Sequence, residues 1–181
     1  MTTLKKRLLP LVLLAICTSV LAAPQQGPGN GKSAFRNEFL ANLDDVQEKI
    51  MELATAVPAD KYAWRPGGGV RSIGEVYMHI AGGNYFLATF LGKQAPADIP
   101  RDLEKITDKQ SILGELRRSF DHIRAASMSA SDADLEKGVQ MFGAKTSQRG
   151  VFVTMLNHLH EHLGQSIAYA RMNGVVPPWS R

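Results

Sequence analysis

Hydrophobic residues recur at steps of three and four along four separate stretches of the chain. In the first stretch the apolar positions are Phe35, Phe39, Leu43, Val46, Ile50, Leu53 and Val57. Because an α-helix turns once in about 3.6 residues, this spacing places the side chains on a single face. The pattern predicts a long amphipathic helix that begins near Ser33 and ends before Pro58.

The same pattern predicts three more helices. Ser72 and Glu75 have the spacing of a capping box, so the second helix is expected to start there and to run to about residue 91. The third is predicted at about residues 108–130 and the fourth at about 150–172, where Asn173 and Gly174 end it. The expected inward positions are Ile73, Val76, Ile80, Leu87, Ile112, Leu116, Phe120, Ile123, Phe152, Leu156, Leu159, Leu163, Ile167 and Ala170.

The connections between these helices complete the architecture. Residues 131–149 are polar and glycine-bearing, which predicts a long connection with a short extended piece near 139–142. The loop after the first helix carries Tyr62 and Trp64, whose rings are expected to pack on the core; lining the mouth of a pocket is the alternative. Four long helices without an internal repeat favour an all-α fold, in its simplest form a four-helix bundle.

The N-terminus has the features of a secretory signal peptide. Three basic residues at positions 5–7 precede an apolar run, residues 8–21, that ends in small residues. We expect cleavage after Ala22, which leaves residues 23–32 as a flexible linker and residues 33–181 as the folded domain of a secreted or periplasmic protein. An uncleaved anchor is the alternative, although the run is shorter than the roughly 20 residues of a spanning helix. Cys17 is poorly placed for a lipoprotein signal.

Cleavage changes both the charge and the available chemistry. The formal net charge falls from +4 to +1, because the removed segment holds basic residues and no acidic ones. No basic cluster interleaved with aromatic residues remains, so we expect no nucleic-acid partner, and no stable membrane span is expected after cleavage. Cys17 is the only cysteine, so a metal site would have to use histidines and carboxylates.

Histidines on the second and fourth helices carry the candidate chemistry. His158 and His162 are four residues apart, so their imidazoles lie on one side of the fourth helix and point to a shared position. His79, at the inner edge of the second helix, supplies a third ligand if these helices are neighbours. His160 falls on nearly the opposite side of the helix, and His122 points away from the inward face of the third helix, as expected for a solvated or flanking residue that is not a ligand.

Three neighbouring features leave alternatives open. Gln165 and Glu75 each lie one turn from a candidate ligand, and each is a candidate for orienting an imidazole through its second ring nitrogen. Glu75 is already used if the capping box forms, and Gln165 has an alternative role as a link between helices. Gly82 and Gly83 lower helix propensity, which indicates either close approach of another backbone or a local irregularity.

Several spaced motifs resemble the DinB-like family of four-helix-bundle metalloproteins. Residues 62–66 (Tyr-Ala-Trp-Arg-Pro), residues 71–75 (Arg-Ser-Ile-Gly-Glu) and His79 are similar to that family's loop and second helix. His158-x-x-x-His162-x-Gly-Gln and residues 177–180 (Pro-Pro-Trp-Ser) are similar to its last helix and tail. The resemblance implies a bundle with a long crossover connection and a divalent metal, zinc or nickel, held by His79, His158 and His162. Leu163 stands where many relatives carry arginine.

Three functions are compatible with these residues. The first is a metal-dependent enzyme, either a hydrolase or, as in some DinB-like relatives, a thiol transferase, acting on a small molecule of unknown identity. Export argues against the thiol transferase, since low-molecular-weight thiols are mainly cytosolic. No general base is obvious, although Glu161 and His160 are near in sequence. The second is a non-catalytic metal-binding or ligand-binding bundle, possible as a homodimer, and the third a bundle whose histidines are only structural.

Overall fold

A computed structural model describes residues 34–180 of the chain. The predicted signal peptide and linker lie outside these residues. The helices and strands, in chain order, are α1 (Ala34–Ala56), α2 (Ile73–Thr89), α3 (Lys109–Ser129), α4 (Asp132–Leu135), β1 (Gly138–Met141), β2 (Ala144–Ser147) and α5 (Gln148–Met172). Short 3-10 turns lie at Ala59–Lys61, Leu103–Lys105 and Pro178–Ser180. The predicted all-α four-helix bundle is confirmed, with α1, α2, α3 and α5 as its long helices.

Side-chain caps fix where the long helices begin. Ser72 Oγ accepts a hydrogen bond from the Glu75 backbone N–H, and Glu75 Oε2 accepts one from the Ser72 N–H at 2.6 Å, so the predicted capping box forms. Asp108 caps α3 by accepting from the Ser111 N–H at 2.8 Å. Ser147 caps α5, which therefore starts two residues before the predicted position.

The packing order of the helices places α2 beside α5. Helices α1 and α2 each pack against both α3 and α5, so α1 lies diagonally opposite α2 and α3 diagonally opposite α5. The connections α1 to α2 and α3 to α5 consequently cross the bundle, and the second contains α4 and the β-hairpin. Among residues 34–180, no helix is long and apolar enough to span a membrane.

The predicted apolar stripes form the core. Leu43, Val46 and Ile50 of α1 are completely buried. So are Ile112, Leu116, Phe120 and Ile123 of α3. The hydroxyl of Tyr62 donates to the carbonyl of Ala54 at 2.7 Å, so the ring of Tyr62 packs on the core. This burial of apolar area stabilises the bundle and holds α2 and α5 in fixed register.

Candidate metal centre

Three histidine side chains meet where α2 packs against α5. His79 comes from α2, and His158 and His162 lie one turn apart on α5. One ring nitrogen of each lies within 4.8 Å of the other two, and His79 Nε2 is 3.4 Å from His158 Nε2. Two nitrogens bound at about 2.0–2.1 Å to one tetrahedral zinc ion are roughly 3.4 Å apart. The His79 and His158 nitrogens therefore have the separation of two ligands of a single ion, and a His162 nitrogen lies within 4.8 Å of both.

Gly83 makes room for the ring of His158. A Cβ atom at position 83 would lie 2.3 Å from His158 Cε1 and 2.9 Å from His158 Nε2, closer than real contacts allow. Helix α2 runs unbroken through this position, so there is no local irregularity. The atoms that approach Gly83 closely belong to the side chain of His158 and not to another backbone, the expected alternative.

A hydrogen-bonded chain on α5 fixes the orientation of His162. Gln165 donates through Nε2 to the Tyr169 hydroxyl at 3.0 Å, which turns its oxygen toward His162. Gln165 Oε1 lies 2.8 Å from His162 Nδ1, so Nδ1 is the protonated nitrogen and donates this bond. The lone pair of His162 is consequently on Nε2, the nitrogen available to a metal.

The carboxylate next to His79 is that of Glu104. Glu104 Oε1 lies 3.4 Å from His79 Nδ1 and also accepts a hydrogen bond from Arg71 Nε at 2.9 Å. Glu104 belongs to the 3-10 turn between α2 and α3. An acceptor on Nδ1 favours the tautomer that presents Nε2 to the cluster.

Glu75, a candidate for orienting His79, has the alternative role, as part of the capping box. One oxygen of Glu75 accepts from the Ser72 backbone N–H at 2.6 Å, and the other accepts from Arg65 at 2.9 Å. The capping box and this ion pair therefore occupy the carboxylate. The Ser72 hydrogen bond also lowers the pKa of Glu75, so it is ionised in these contacts.

Burial keeps the imidazoles of His79 and His158 neutral. Burial, reinforced by the nearby His162, His79 and Arg71, lowers the pKa of His158 to about 4. Burial also lowers the pKa of His79, together with Arg71 and His162 and against the opposing effect of Glu104. Since metals bind the neutral ring, both histidines present a lone pair at neutral pH.

Packing alone holds the His158 ring at its Nδ1 atom, the ring nitrogen that is not next to His79 Nε2. Its Nδ1 atom is buried and has no hydrogen-bond partner within residues 34–180. Such orphaned polar atoms are rare in folded proteins. The space at Gly83, and not an acceptor, therefore sets the position of this ring.

The other two histidines of the described part do not join this cluster. His160 is exposed, with Nδ1 2.8 Å from the Leu156 carbonyl oxygen, as its place on the helix predicted. His122, expected to be a solvated or flanking residue, is not solvated but buried, with 8% of its surface exposed. Its ring packs edge-on against Tyr85 of α2 at a centroid distance of 5.1 Å, so the third helix buries a broader face than its apolar stripe indicated.

Two cavities open beside the three histidines. One, of about 490 Å³, extends from His79 and Glu104 along the loop that precedes α3. The other, of about 430 Å³, is lined by His79 and His158 and also by Asn157, Glu161 and Phe142 of the hairpin turn. Glu161 follows His158 by three positions on α5, a spacing that places both on one side of the helix. The sequence spacing therefore contained a signal that Glu161 lies on the side of His158, and the structure places Glu161 in the lining of the same cavity.

The family profile of the DinB superfamily matches residues 42–166, which include all three histidines and most of the bundle. The chain belongs to the DinB superfamily. The family predicted from the motifs is thus confirmed. No match was found among curated proteins.

Solved structures of DinB-like proteins share the fold of this DinB superfamily member. A DinB-like protein from Bacillus cereus ATCC 10987 is 19% identical, with a TM-score of 0.70 over 78% of this chain and 95% of the other. The DinB-like protein YjoA from Bacillus subtilis is 20% identical, with a TM-score of 0.61 over 76% and 92%. YfiT from Bacillus subtilis, 16% identical with a TM-score of 0.62 over 82% and 94%, is described as a probable metal-dependent hydrolase with an unusual four-helix bundle topology. At these identities the likeness shows the fold.

Proposed function

We propose that this DinB superfamily protein is an exported, metal-dependent hydrolase of a small molecule. Its metal ligands are His79, His158 and His162, and zinc or nickel is the expected ion. The observation that carries the proposal is the convergence of three imidazole nitrogens within 4.8 Å, with two of the rings, His79 and His158, lining a cavity. The probable hydrolase activity of YfiT supports the reaction class.

The number of protein ligands favours catalysis over a structural role. Structural zinc sites are commonly closed by four protein ligands, whereas catalytic sites use three and keep one position open. Within residues 34–180 the cluster consists of three histidines and no fourth His, Cys, Asp or Glu ligand. A divalent metal bound there supplies Lewis acidity toward a carbonyl or phosphoryl group and makes water acidic enough to react near neutral pH.

The chain itself supplies the remaining requirements for hydrolysis. Gln165 and Glu104 hold the outer nitrogens of His162 and His79, which fixes the directions of their Nε2 lone pairs. Glu161 lines the same cavity as His79 and His158, and we assign its carboxylate as the proton acceptor for the attacking water. Transfer to a thiol is the less favoured reaction, because an exported protein is separated from the cytosolic thiol pool.

The activity test compares two histidines of α5. Untagged protein lacking residues 1–22 is loaded with zinc or nickel and assayed on 4-nitrophenyl esters and N-acyl amides. We expect turnover by the wild type, loss of turnover in His158→Ala with the helical circular dichroism signal retained, and full turnover in His160→Ala. A wild type that binds metal but hydrolyses none of these compounds contradicts the hydrolase proposal and favours the non-catalytic binding bundle.

Export is proposed from the N-terminal segment and has its own test. Expression of the full chain in a Gram-negative host, followed by mass measurement of the periplasmic protein, is expected to give a product that begins at Ala23. A full-length product retained with the membrane fraction instead supports an uncleaved anchor.

A further inference from the structure

The turn of the β-hairpin holds an aromatic residue in a backbone conformation that suits other residues better. Met141 pairs with Ala144, so Phe142 and Gly143 form a two-residue turn. Both have positive φ angles, 51° for Phe142 and 79° for Gly143, as in a type I′ turn. Asn, Asp or Gly adopts the first position of such a turn with less strain than Phe. Backbone strain of this kind is often associated with function.

The side chain at this strained position is also exposed. Phe142 is 70% exposed and Phe86, across from it on α2, is 51% exposed. The ring centroid of Phe142 lies 6.0 Å from the centroid of Phe86 and 6.0 Å from that of Phe90. The Phe86 and Phe90 centroids are 5.3 Å apart. We call these three residues the aromatic wall. The three rings contact one another at distances typical of aromatic pairs. Phe86 and Phe142 nevertheless remain largely accessible to water.

The aromatic wall borders the cavity of the candidate metal centre. Phe86 and Phe142 line the 430 Å³ cavity together with His79 and His158. Asn157 and Glu161 add polar groups to the same lining. A volume of this size, mostly apolar walls and a few converging polar groups are typical of small-molecule sites.

We propose that the substrate carries a flat aromatic group beside its reacting bond and that this group packs against the exposed faces of Phe86 and Phe142. The inference rests on the proposed function, since it places the polar, reacting part of the substrate at His79, His158 and His162. The aromatic wall then accounts for the unusual residue in the hairpin turn. Phe142 makes the turn less stable than Asn or Gly would, but its ring provides an apolar surface for the ligand.

The shape of the site favours a small molecule over a second copy of the chain. A stable protein interface buries about 800 Å² on each partner and excludes charged groups from its centre. Here the apolar residues line a cavity whose lining also includes a charged residue, Glu161, and two histidines. These polar groups are suited to a ligand with a reactive polar end.

The test uses two ligands that bind metals through the same hydroxamate group. Benzohydroxamate and acetohydroxamate are titrated into the zinc-loaded protein, and the ratio of their dissociation constants reports the contribution of the ring. We expect benzohydroxamate to bind on the order of 10-fold more tightly in the wild type, as burial of an aryl group predicts. In Phe142→Ala and Phe86→Ala the ratio is expected to fall to about 3 or less.

Controls separate failure of this inference from failure of the proposed function. Met172→Ala removes a side chain that is 64% exposed on the last turn of α5 and is expected to leave the ratio unchanged. If neither hydroxamate binds, the metal centre itself is wrong. If acetohydroxamate binds but benzohydroxamate shows no advantage, or an advantage that survives both substitutions, the metal centre stands and the aromatic site is wrong.

A second variant distinguishes a ligand-binding role from a structural one. Phe142→Asn gives the turn its preferred Asn-Gly sequence, so we expect a higher melting temperature together with a reduced ratio. A lower melting temperature with an unchanged ratio means that Phe142 only packs the hairpin, which overturns the proposal. Conversion of a dimer to a monomer by Phe142→Ala, seen by sedimentation, overturns it as well, because the wall is then an interface between copies.

Discussion

Gly83 of α2 and His158 of α5 fit together with no room for a single additional carbon atom. The position of a Cβ at residue 83 lies 2.3 Å from His158 Cε1. The outer nitrogen of His158 has no hydrogen-bond partner in the described part of the chain, so this contact is what positions the ring. The absence of a side chain at Gly83 therefore helps to set the position of one of the three imidazoles.

Gly83→Ala is therefore expected to impair metal binding without impairing the fold. The added methyl group displaces the His158 ring, so zinc affinity should fall at least about 10-fold. Alanine also favours the helix by about 0.5–1 kcal/mol, so the metal-free protein should not lose helical structure. Gly82→Ala is the matched control, because a Cβ there meets only Leu103 Cδ1 at an ordinary 3.8 Å. Equal zinc affinities for both variants contradict the packing argument.

Two glutamates near α2 are expected to differ in their effect on the metal. Glu104→Ala removes the carboxylate beside His79 and leaves Arg71 unpaired next to that ring, which should weaken zinc binding by about 10-fold to 100-fold. Glu75→Ala breaks the capping box and should cost about 1 kcal/mol of stability with little change in zinc affinity. Zinc titration and urea unfolding of both variants measure these effects. If instead Glu75→Ala weakens zinc binding and Glu104→Ala does not, Glu75 is the residue that orients His79.

Gln165 is expected to act through its side-chain oxygen. Gln165→Ala removes the acceptor for His162 Nδ1 and should lower zinc affinity by about 10-fold. Gln165→Glu keeps an acceptor at the same place and should recover most of the loss. Competition with a chromogenic chelator measures both constants. If alanine and glutamate are equivalent here, Gln165 only links α5 to Tyr169.

The metal-free protein is expected to lose stability as the pH falls from about 6.5 toward 4. The folded-state pKa of His158 is lowered to about 4 from its ordinary 6.5, so the unfolded chain binds more protons within this window. Stability therefore rises with pH across it, by at most about 1.4 kcal/mol per pH unit for one proton. His158→Gln should give a shallower slope in urea unfolding between pH 5 and pH 6.5. An unchanged slope contradicts neutral burial of this ring.

The helices were predictable because the forces that define them are local. Steps of three and four gave the buried face of α1, and the Ser72 and Glu75 pair located the start of α2. The pairing of His158 with His162 is also local, since it requires only the pitch of one helix. The position of His79 against them depends on the packing of α2 on α5, which periodicity does not encode.

The errors arose where contacts are distant in sequence. Glu104 lies on a short turn 25 positions after His79, and no periodic signal connects it to that ring. Glu75 has the right spacing on the same helix, yet its capping role excludes the second role. His122 lies away from the apolar stripe of α3, but Tyr85 covers it from the neighbouring helix.

Zinc titration of the metal-free, untagged protein tests the central claim most directly. In a calorimeter at pH 7, the wild type should bind one zinc ion per chain. His79→Ala removes the ligand that α2 contributes, so this variant should bind zinc at least about 100-fold more weakly while its circular dichroism spectrum stays helical. Unchanged binding in His79→Ala, or no binding by a folded wild type, would show that the rings from α2 and α5 do not share an ion.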